Sequence, residues 1–161
     1  MVLAIGDQIP DIELKTMGAE GSPVSVRTSD VLGKGKVVLF AVPGAFTPGC
    51  SRVHLPRFVT QADELKAKGV DTIACIAVND AWVMDAWGKA HDVGDKIVML
   101  ADGSGDFTRA MDLVMDGTGF GLGFRSRRYA AVIEDGVITR LNVEETGGID
   151  VSSCETVMAG L

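Results

Sequence analysis

Phe40-Ala41-Val42-Pro43-Gly44-Ala45-Phe46-Thr47-Pro48-Gly49-Cys50 joins an apolar run to an amphipathic one, and its reading decides the fold. Val37 to Val42 is continuously apolar and reads as a buried strand. A Pro/Gly/Thr loop follows it. Ser51 to Lys68 then places Leu55, Phe58, Val59, Ala62 and Leu65 at helical spacing. Cys50 therefore stands in the first turn of a helix, just past the C-terminal end of a strand. Unpaired backbone N–H groups and the positive end of the helix dipole point at the sulfur there, and both favour thiolate over thiol. Cysteines so placed can titrate well below the ordinary value of about 8.5. The alternative is a buried structural cysteine, which behaves as a small hydrophobe. The strand–loop–helix context, with the Thr47 hydroxyl three residues upstream, favours a reactive cysteine.

Outward from this stretch, strand-like and helix-like segments alternate. Val70–Val78 is a second apolar run, and two such runs suit central parallel strands covered on both faces. The helix between them stops at Gly69, and Pro56 is expected to kink it by removing a backbone donor. Asn79 or Asp80 caps a second helix, Ala81 to about His91, with Val83, Ala86, Trp87 and Ala90 inward. Ile97–Ala101 reads as a strand and Asp106–Leu113 as a short helix. Glu134-Asp135-Gly136 between Tyr129–Ile133 and Val137–Leu141 signals a hairpin. Pro10–Arg27 is expected to add one or two peripheral strands, and the C-terminal tail has helical potential. This order predicts an α/β architecture, a thioredoxin-like fold with a central mixed β-sheet flanked by helices.

Bulk properties narrow the function. A chain of 161 residues with 47% hydrophobic content is expected to fold as one domain, 1–161, without disulfide support. Three cysteines are too few for a disulfide scaffold, and the odd count leaves at least one free thiol. Met1 to Asp7 carries no basic or long apolar stretch, so no signal peptide is expected. No run of 18 apolar residues occurs, so no membrane is expected as a partner. A reducing cytoplasm is the expected location. The net charge of −7 argues against nucleic acid, which needs a basic face. Arg125-Ser126-Arg127-Arg128 is a positive island in this acidic chain.

A nucleophilic cysteine needs donors that hold its substrate and stabilise the leaving group. Thr47 and the Cys50 N–H are local candidates, and Pro43, Ala45, Phe46 and Pro48 would form a dry collar. The arginine island can supply a cation, Arg128 above all because it directly precedes the strand Tyr129–Ile133; the alternative is a solvated strand end. Cys50 and His54, four apart on one helix, could both face a metal, but two ligands are too few for a structural zinc site. His54 could instead lie near the active site, but a plain surface histidine is the favoured reading. The glycine-rich Gly117–Gly123 lacks the Lys-Ser/Thr of a phosphate loop and reads as a flexible loop near the active site or at a dimer contact. Phe46, Phe120 and Phe124 are candidates for a dimer surface. Trp82 and Trp87 read as helix packing, and Met111 and Met115 as core.

Pro43, Thr47 and Cys50 in Pro-x-x-x-Thr-x-x-Cys, followed by Ser51-Arg52-Val53-His54-Leu55-Pro56, resemble the active-site signature of the peroxiredoxins, closest to the type II, peroxiredoxin-5-like branch. The resemblance continues through Cys75–Asp80, Trp87–His91, Leu100–Gly103, Arg125–Ala130, Asp135-Gly136 and Asn142–Glu144. It implies a thiol-dependent peroxidase with no cofactor and no metal, taking hydrogen peroxide and alkyl hydroperoxides. By the family pattern Cys50 is the attacking thiolate, Thr47 accepts a hydrogen bond from the sulfur or positions the peroxide oxygens, Arg128 stabilises the thiolate and the stretched O–O bond, and Pro43 shields the sulfur from water. Cys154 matches the resolving position of animal-like members and Cys75 that of plant-like members. An external thiol, from glutathione with glutaredoxin or from thioredoxin, is the third possibility. Cys154 ranks first, because Gly147–Glu155 reads as a mobile surface segment; the external thiol ranks second, and Cys75, in an apolar strand run, third. A homodimer is expected. Two rivals remain: a disulfide reductase, disfavoured because Cys50 lacks a partner at CxxC spacing, and a redox sensor switched by oxidation of Cys50.

Overall fold

In a computed structural model, which describes residues 3–161, nine strands and six short helices alternate along the chain. The strands are β1 (Glu13–Met17), β2 (Pro23–Arg27), β3 (Lys36–Ala41), β4 (Thr72–Ala77), β5 (Val98–Ala101), β6 (Val114–Asp116), β7 (Phe124–Ser126), β8 (Tyr129–Glu134) and β9 (Val137–Val143). The helices are α1 (Thr28–Val31), α2 (Leu55–Thr60), α3 (Ala62–Ala67), α4 (Ala81–Ala90), α5 (Asp106–Ala110) and α6 (Cys154–Ala159), with a π-helical turn over Cys50–His54. Seven strands form one mixed sheet in the order β2-β1-β5-β4-β3-β8-β9. The three central strands β5, β4 and β3 are parallel. Antiparallel hairpins, β1–β2 and β8–β9, close the two edges. This is the thioredoxin-like arrangement expected from the order of segments.

The apolar runs form central strands because both faces of the sheet are covered. Alternate residues point to opposite sides. Val38, Phe40, Ile73, Cys75, Ala130 and Val132 join Leu55, Phe58, Leu65, Met84 and Trp87 in one core layer. Val37, Leu39, Ala74, Ile76, Ala131 and Ile133 join Leu32, Phe107 and Met111 in the other. Phe40 and Phe58 stack with ring centroids 4.0 Å apart, which pins the helical side of the first layer to β3. The β8–β9 hairpin turns through Asp135 and Gly136, both at positive φ, as the Asp-Gly signal requires.

The helical segment from Cys50 differs from its expected form. It is not one kinked helix but a π turn, α2 and α3, with a break at Gln61. The Leu55 N–H reaches back five residues to the Cys50 carbonyl, and Pro56 sits in the first turn of α2, where its missing N–H costs little. On α4 the buried stripe is Ala81, Met84, Trp87 and Gly88; Ala86 and Ala90 face solvent. Trp82 is exposed, not packed against the helix. The stretch after β6 is a tight 3-10 turn, Thr118–Phe120, joining β6 to β7 in a small second hairpin.

Candidate active site

The loop that follows β3 is held from two sides before it reaches the cysteine. Asn79, just past β4, accepts the Ala45 N–H through Oδ1 at 2.9 Å. Arg125 of β7 donates from Nη1 to the Pro43 carbonyl at 3.3 Å and from Nε to the Leu122 carbonyl at 2.9 Å. A Cβ on Gly44 would stand 2.8 Å from Arg125 Nη1, so glycine is what lets the guanidinium lie against this loop. The Ser51 N–H then bonds the Thr47 carbonyl at 2.9 Å, which starts the helical turn and buries Cys50.

Two polar side chains converge on the sulfur. Thr47 Oγ1 lies 2.9 Å from Cys50 Sγ and 2.7 Å from the Gly44 carbonyl. A hydroxyl has one proton. Beside a thiol it can accept from sulfur and donate to the carbonyl; beside a thiolate it can turn its proton to sulfur. Arg128 Nη2 donates to Cys50 Sγ at 3.2 Å. Arg128 is only 7% exposed, and its Nε has no hydrogen-bond partner among the described residues, so this guanidinium has a donor to spare. Within the arginine island the roles separate: Arg127 Nη2 bonds the Glu144 carbonyl, Arg125 holds the Pro43 loop, and Arg128 reaches the sulfur.

His54 is buried, contrary to its expected place at the surface. Its Nδ1 lies 2.9 Å from Arg128 Nη1 and its Nε2 lies 2.9 Å from the Ser152 carbonyl. A carbonyl only accepts, so Nε2 carries the proton and Nδ1 offers its lone pair to the guanidinium. Burial, reinforced by the Arg128 charge, pushes its pKa down to about 4 despite the Ser152 carbonyl. The four-residue spacing from Cys50, first weighed as a metal pair, instead lets both side chains grip one arginine. That spacing was visible in the sequence. The contact of His54 with Arg128, 74 residues further on, was not.

All three cysteines are free thiols and all are buried. Cys75 lies mid-strand in β4, paired with Phe40 on one side and Met99 on the other. Burial, and then the neighbouring Cys50, push its thiol well up. Cys154 is not on a polar surface segment as expected but is the buried first residue of α6. Burial, with Glu155 and Glu64 nearby, pushes it up to about 12. Ser153 caps α6 by accepting the Thr156 N–H, so the short helix has its own start signal.

A cysteine held by a hydroxyl and a guanidinium, at a helix start beyond a central parallel strand, defines a thiol-based oxidoreductase of the thioredoxin-like class. The comparisons with known proteins narrow that class. The Redoxin family matches residues 4–158. Peroxiredoxin-2E, chloroplastic, of Arabidopsis thaliana is 45% identical over 162 residues, covering 99% of this chain and 69% of its own. Reduced Prx3 of Vibrio vulnificus, solved in complex with H2O2, superposes with a TM-score of 0.94 at 50% identity, covering 99% of each chain. Peroxiredoxin 5 of Alvinella pompejana superposes with a TM-score of 0.85 at 38% identity, covering 98% and 96%. The chain belongs to the peroxiredoxins, in the type II, peroxiredoxin-5-like branch. It is a thiol-dependent peroxidase, with Cys50 at the peroxidatic position.

Proposed function

We propose that Cys50, Thr47, Arg128 and Pro43 carry the peroxide step, and that Cys154 resolves its product. The Cys50 thiolate attacks one oxygen of the hydroperoxide, the O–O bond breaks, and Cys50 becomes sulfenic acid. The departing oxygen leaves as water or alcohol once it takes a proton, the one the thiol has given up. Thr47 directs its hydroxyl proton to the sulfur or to the peroxide oxygen. Arg128 steadies the sulfur through Nη2, and its spare Nε–H is available to the oxygen on which charge builds. Pro43 screens the sulfur from water. The observation that carries this reading is the convergence of Thr47 Oγ1 and Arg128 Nη2 on one buried sulfur.

The Cys50 sulfenic acid then condenses with a thiol, releasing water and forming a disulfide. Cys154 is favoured over Cys75 on mechanical grounds. Moving Cys75 breaks backbone ladders to both β3 and β5, whereas Cys154 rides a six-residue helix that belongs to no ladder. An external thiol, from glutathione with glutaredoxin or from thioredoxin, regenerates the enzyme. Exposed Phe46, Phe120 and Phe124 support a homodimer. Three free thiols support a reducing, cytoplasmic setting, and one seven-stranded sheet that joins β1 and β2 to β8 and β9 supports a single domain. Among the described residues no helix is long and apolar enough to cross a membrane.

The test is peroxide consumption by the purified protein with each reductant, followed by peptide mapping. Cys50→Ser is expected to abolish turnover with the fold intact. A Cys50–Cys154 disulfide peptide is expected after one equivalent of peroxide. A Cys50–Cys75 peptide, or sulfenic acid that persists until glutathione is added, would reassign the resolving thiol. Turnover in Cys50→Ser would remove Cys50 from the peroxide step.

A further inference from the structure

The Arg128–His54 pair continues into the loop that joins β9 to α6. Glu144, 7% exposed, gathers this loop onto one carboxylate oxygen. Its Oε2 accepts the Asp150 N–H at 2.8 Å, the Ser152 N–H at 2.9 Å and the Ser152 hydroxyl at 2.6 Å. Burial raises its pKa, but these hydrogen bonds outweigh burial and leave it below the ordinary carboxylate value. Glu144 is itself anchored by its main chain. Its N–H bonds the Arg128 carbonyl at 3.0 Å, and its carbonyl accepts Arg127 Nη2 at 2.9 Å. The Ser152 pinned in this way presents its carbonyl to His54.

We propose that Glu144 is a positioning residue for the peroxide step, acting on the sulfur through Ser152, His54 and Arg128. The Ser152 carbonyl requires a proton on His54 Nε2, which leaves Nδ1 as an acceptor. Nδ1 takes one terminal nitrogen of Arg128, and the other nitrogen is thereby aimed at Cys50. Without a fixed carbonyl the ring is free to adopt the other tautomer. Its Nδ1–H would then face a guanidinium N–H, donor against donor, and Arg128 would turn away from the sulfur. A carboxylate thus sets the direction of an arginine it does not touch with its side chain, as outer-shell partners set the tautomer of a liganding histidine. Cys154 follows Ser152 by two residues. If Cys154 is the resolving thiol, its departure withdraws that carbonyl, so the peroxide-reactive and disulfide-forming arrangements exclude one another. That corollary rests on the proposed resolving role; the positioning role does not.

The experiment measures the bimolecular rate of Cys50 oxidation by hydrogen peroxide in a single turnover of the pre-reduced protein, trapping sulfenic acid, so resolution plays no part. Glu144→Ala is expected to slow this step about tenfold, and Glu144→Gln, which keeps an uncharged acceptor, less. Adding His54→Gln to Glu144→Ala is expected to slow it no further than His54→Gln alone, because both act along one chain of contacts. The imidazole nitrogen shifts supply a second readout, with only two histidines in the chain. His54 is expected as the Nε2–H tautomer in the parent and as a mixture in Glu144→Ala. Should Glu144→Ala not fold, Glu144→Gln is read by the same two measurements. A rate within about twofold of the parent, losses that multiply in the double variant, or an unchanged tautomer would overturn the proposal. Loss of all peroxide reactivity in the parent would instead strike the peroxidase reading itself.

Discussion

His54 is a neutral ring between a cation and a carbonyl, and its burial links protein stability to pH. Unfolded, it takes a proton near the ordinary value of 6.5; folded, only near about 4. Between those values the unfolded chain binds more protons, so stability falls as pH drops from about 6.5 towards 4. Integrated over the whole window this one group accounts for an effect on the order of 3 kcal/mol, since each pKa unit is about 1.4 kcal/mol. Urea midpoints at pH 7 and pH 5 check it. The parent is expected to lose more stability over that interval than His54→Gln, and equal losses would show that His54 does not titrate in this window. The site was legible in the sequence where its parts are contiguous. Pro43, Thr47 and Cys50 lie within one loop and helix start, and Arg128 could be named because it directly precedes the strand Tyr129–Ile133 and fits the family pattern. His54 and Glu144 were missed for the same reason. Each works through a contact whose partner lies elsewhere in the chain, and spacing on a single helix or strand carries no trace of it.

The π turn is the element that seats the sulfur, and it is tied to α4 by one side-chain bond. The fully buried Trp87 indole donates Nε1–H to Ser51 Oγ at 2.9 Å. Ser51→Ala leaves that donor without its acceptor, and is expected to cost about 1–3 kcal/mol. Urea unfolding checks the cost; a loss below about 0.5 kcal/mol would mean that water replaces the serine. The turn also shows where pattern reading fails. Leu55, Phe58, Ala62 and Leu65 stay in helical phase across the break at Gln61, so the sequence reads as one helix through Ser51–Lys68. The extra residue of the π turn lies before that pattern begins, where no apolar repeat reports it. On α4 the expected face was misplaced because Ala86 and Ala90 bury too little area to decide an orientation, whereas Met84 and Trp87 do. Gly88 seals the choice: a Cβ there would stand 3.0 Å from Val93 and 3.2 Å from Met99. The strands were read correctly because β3, β4 and β8 are covered on both faces. The Asp-Gly turn was read correctly because its backbone demands those residues.

At the scale of the molecule, the face that carries the site also carries unburied aromatic surface. Phe120 is 89% exposed, Phe124 65% and Phe46 54%. Arg125 draws the β6–β7 hairpin against the Pro43 loop, which brings the segments holding these three rings side by side. Phe46 also holds φ at 64°, a left-handed conformation that is strained for a bulky residue. A monomer would therefore keep a strained aromatic residue on a loop that feeds the catalytic turn, with one side of its ring near Trp87 and about half of the residue in water. A second copy of the chain covering this face would bury the rings and brace the loop from outside, as Asn79 and Arg125 brace it from within. Sedimentation of the reduced protein is expected to give twice the chain mass at micromolar concentration. The double variant Phe120→Asp/Phe124→Asp is expected to give the single mass, because each carboxylate would have to lose its hydration in the interface. The variant should still fold, since neither ring contributes to either core layer. A parent that sediments as a monomer, or a charged variant that stays dimeric, would show that these rings serve something other than self-association.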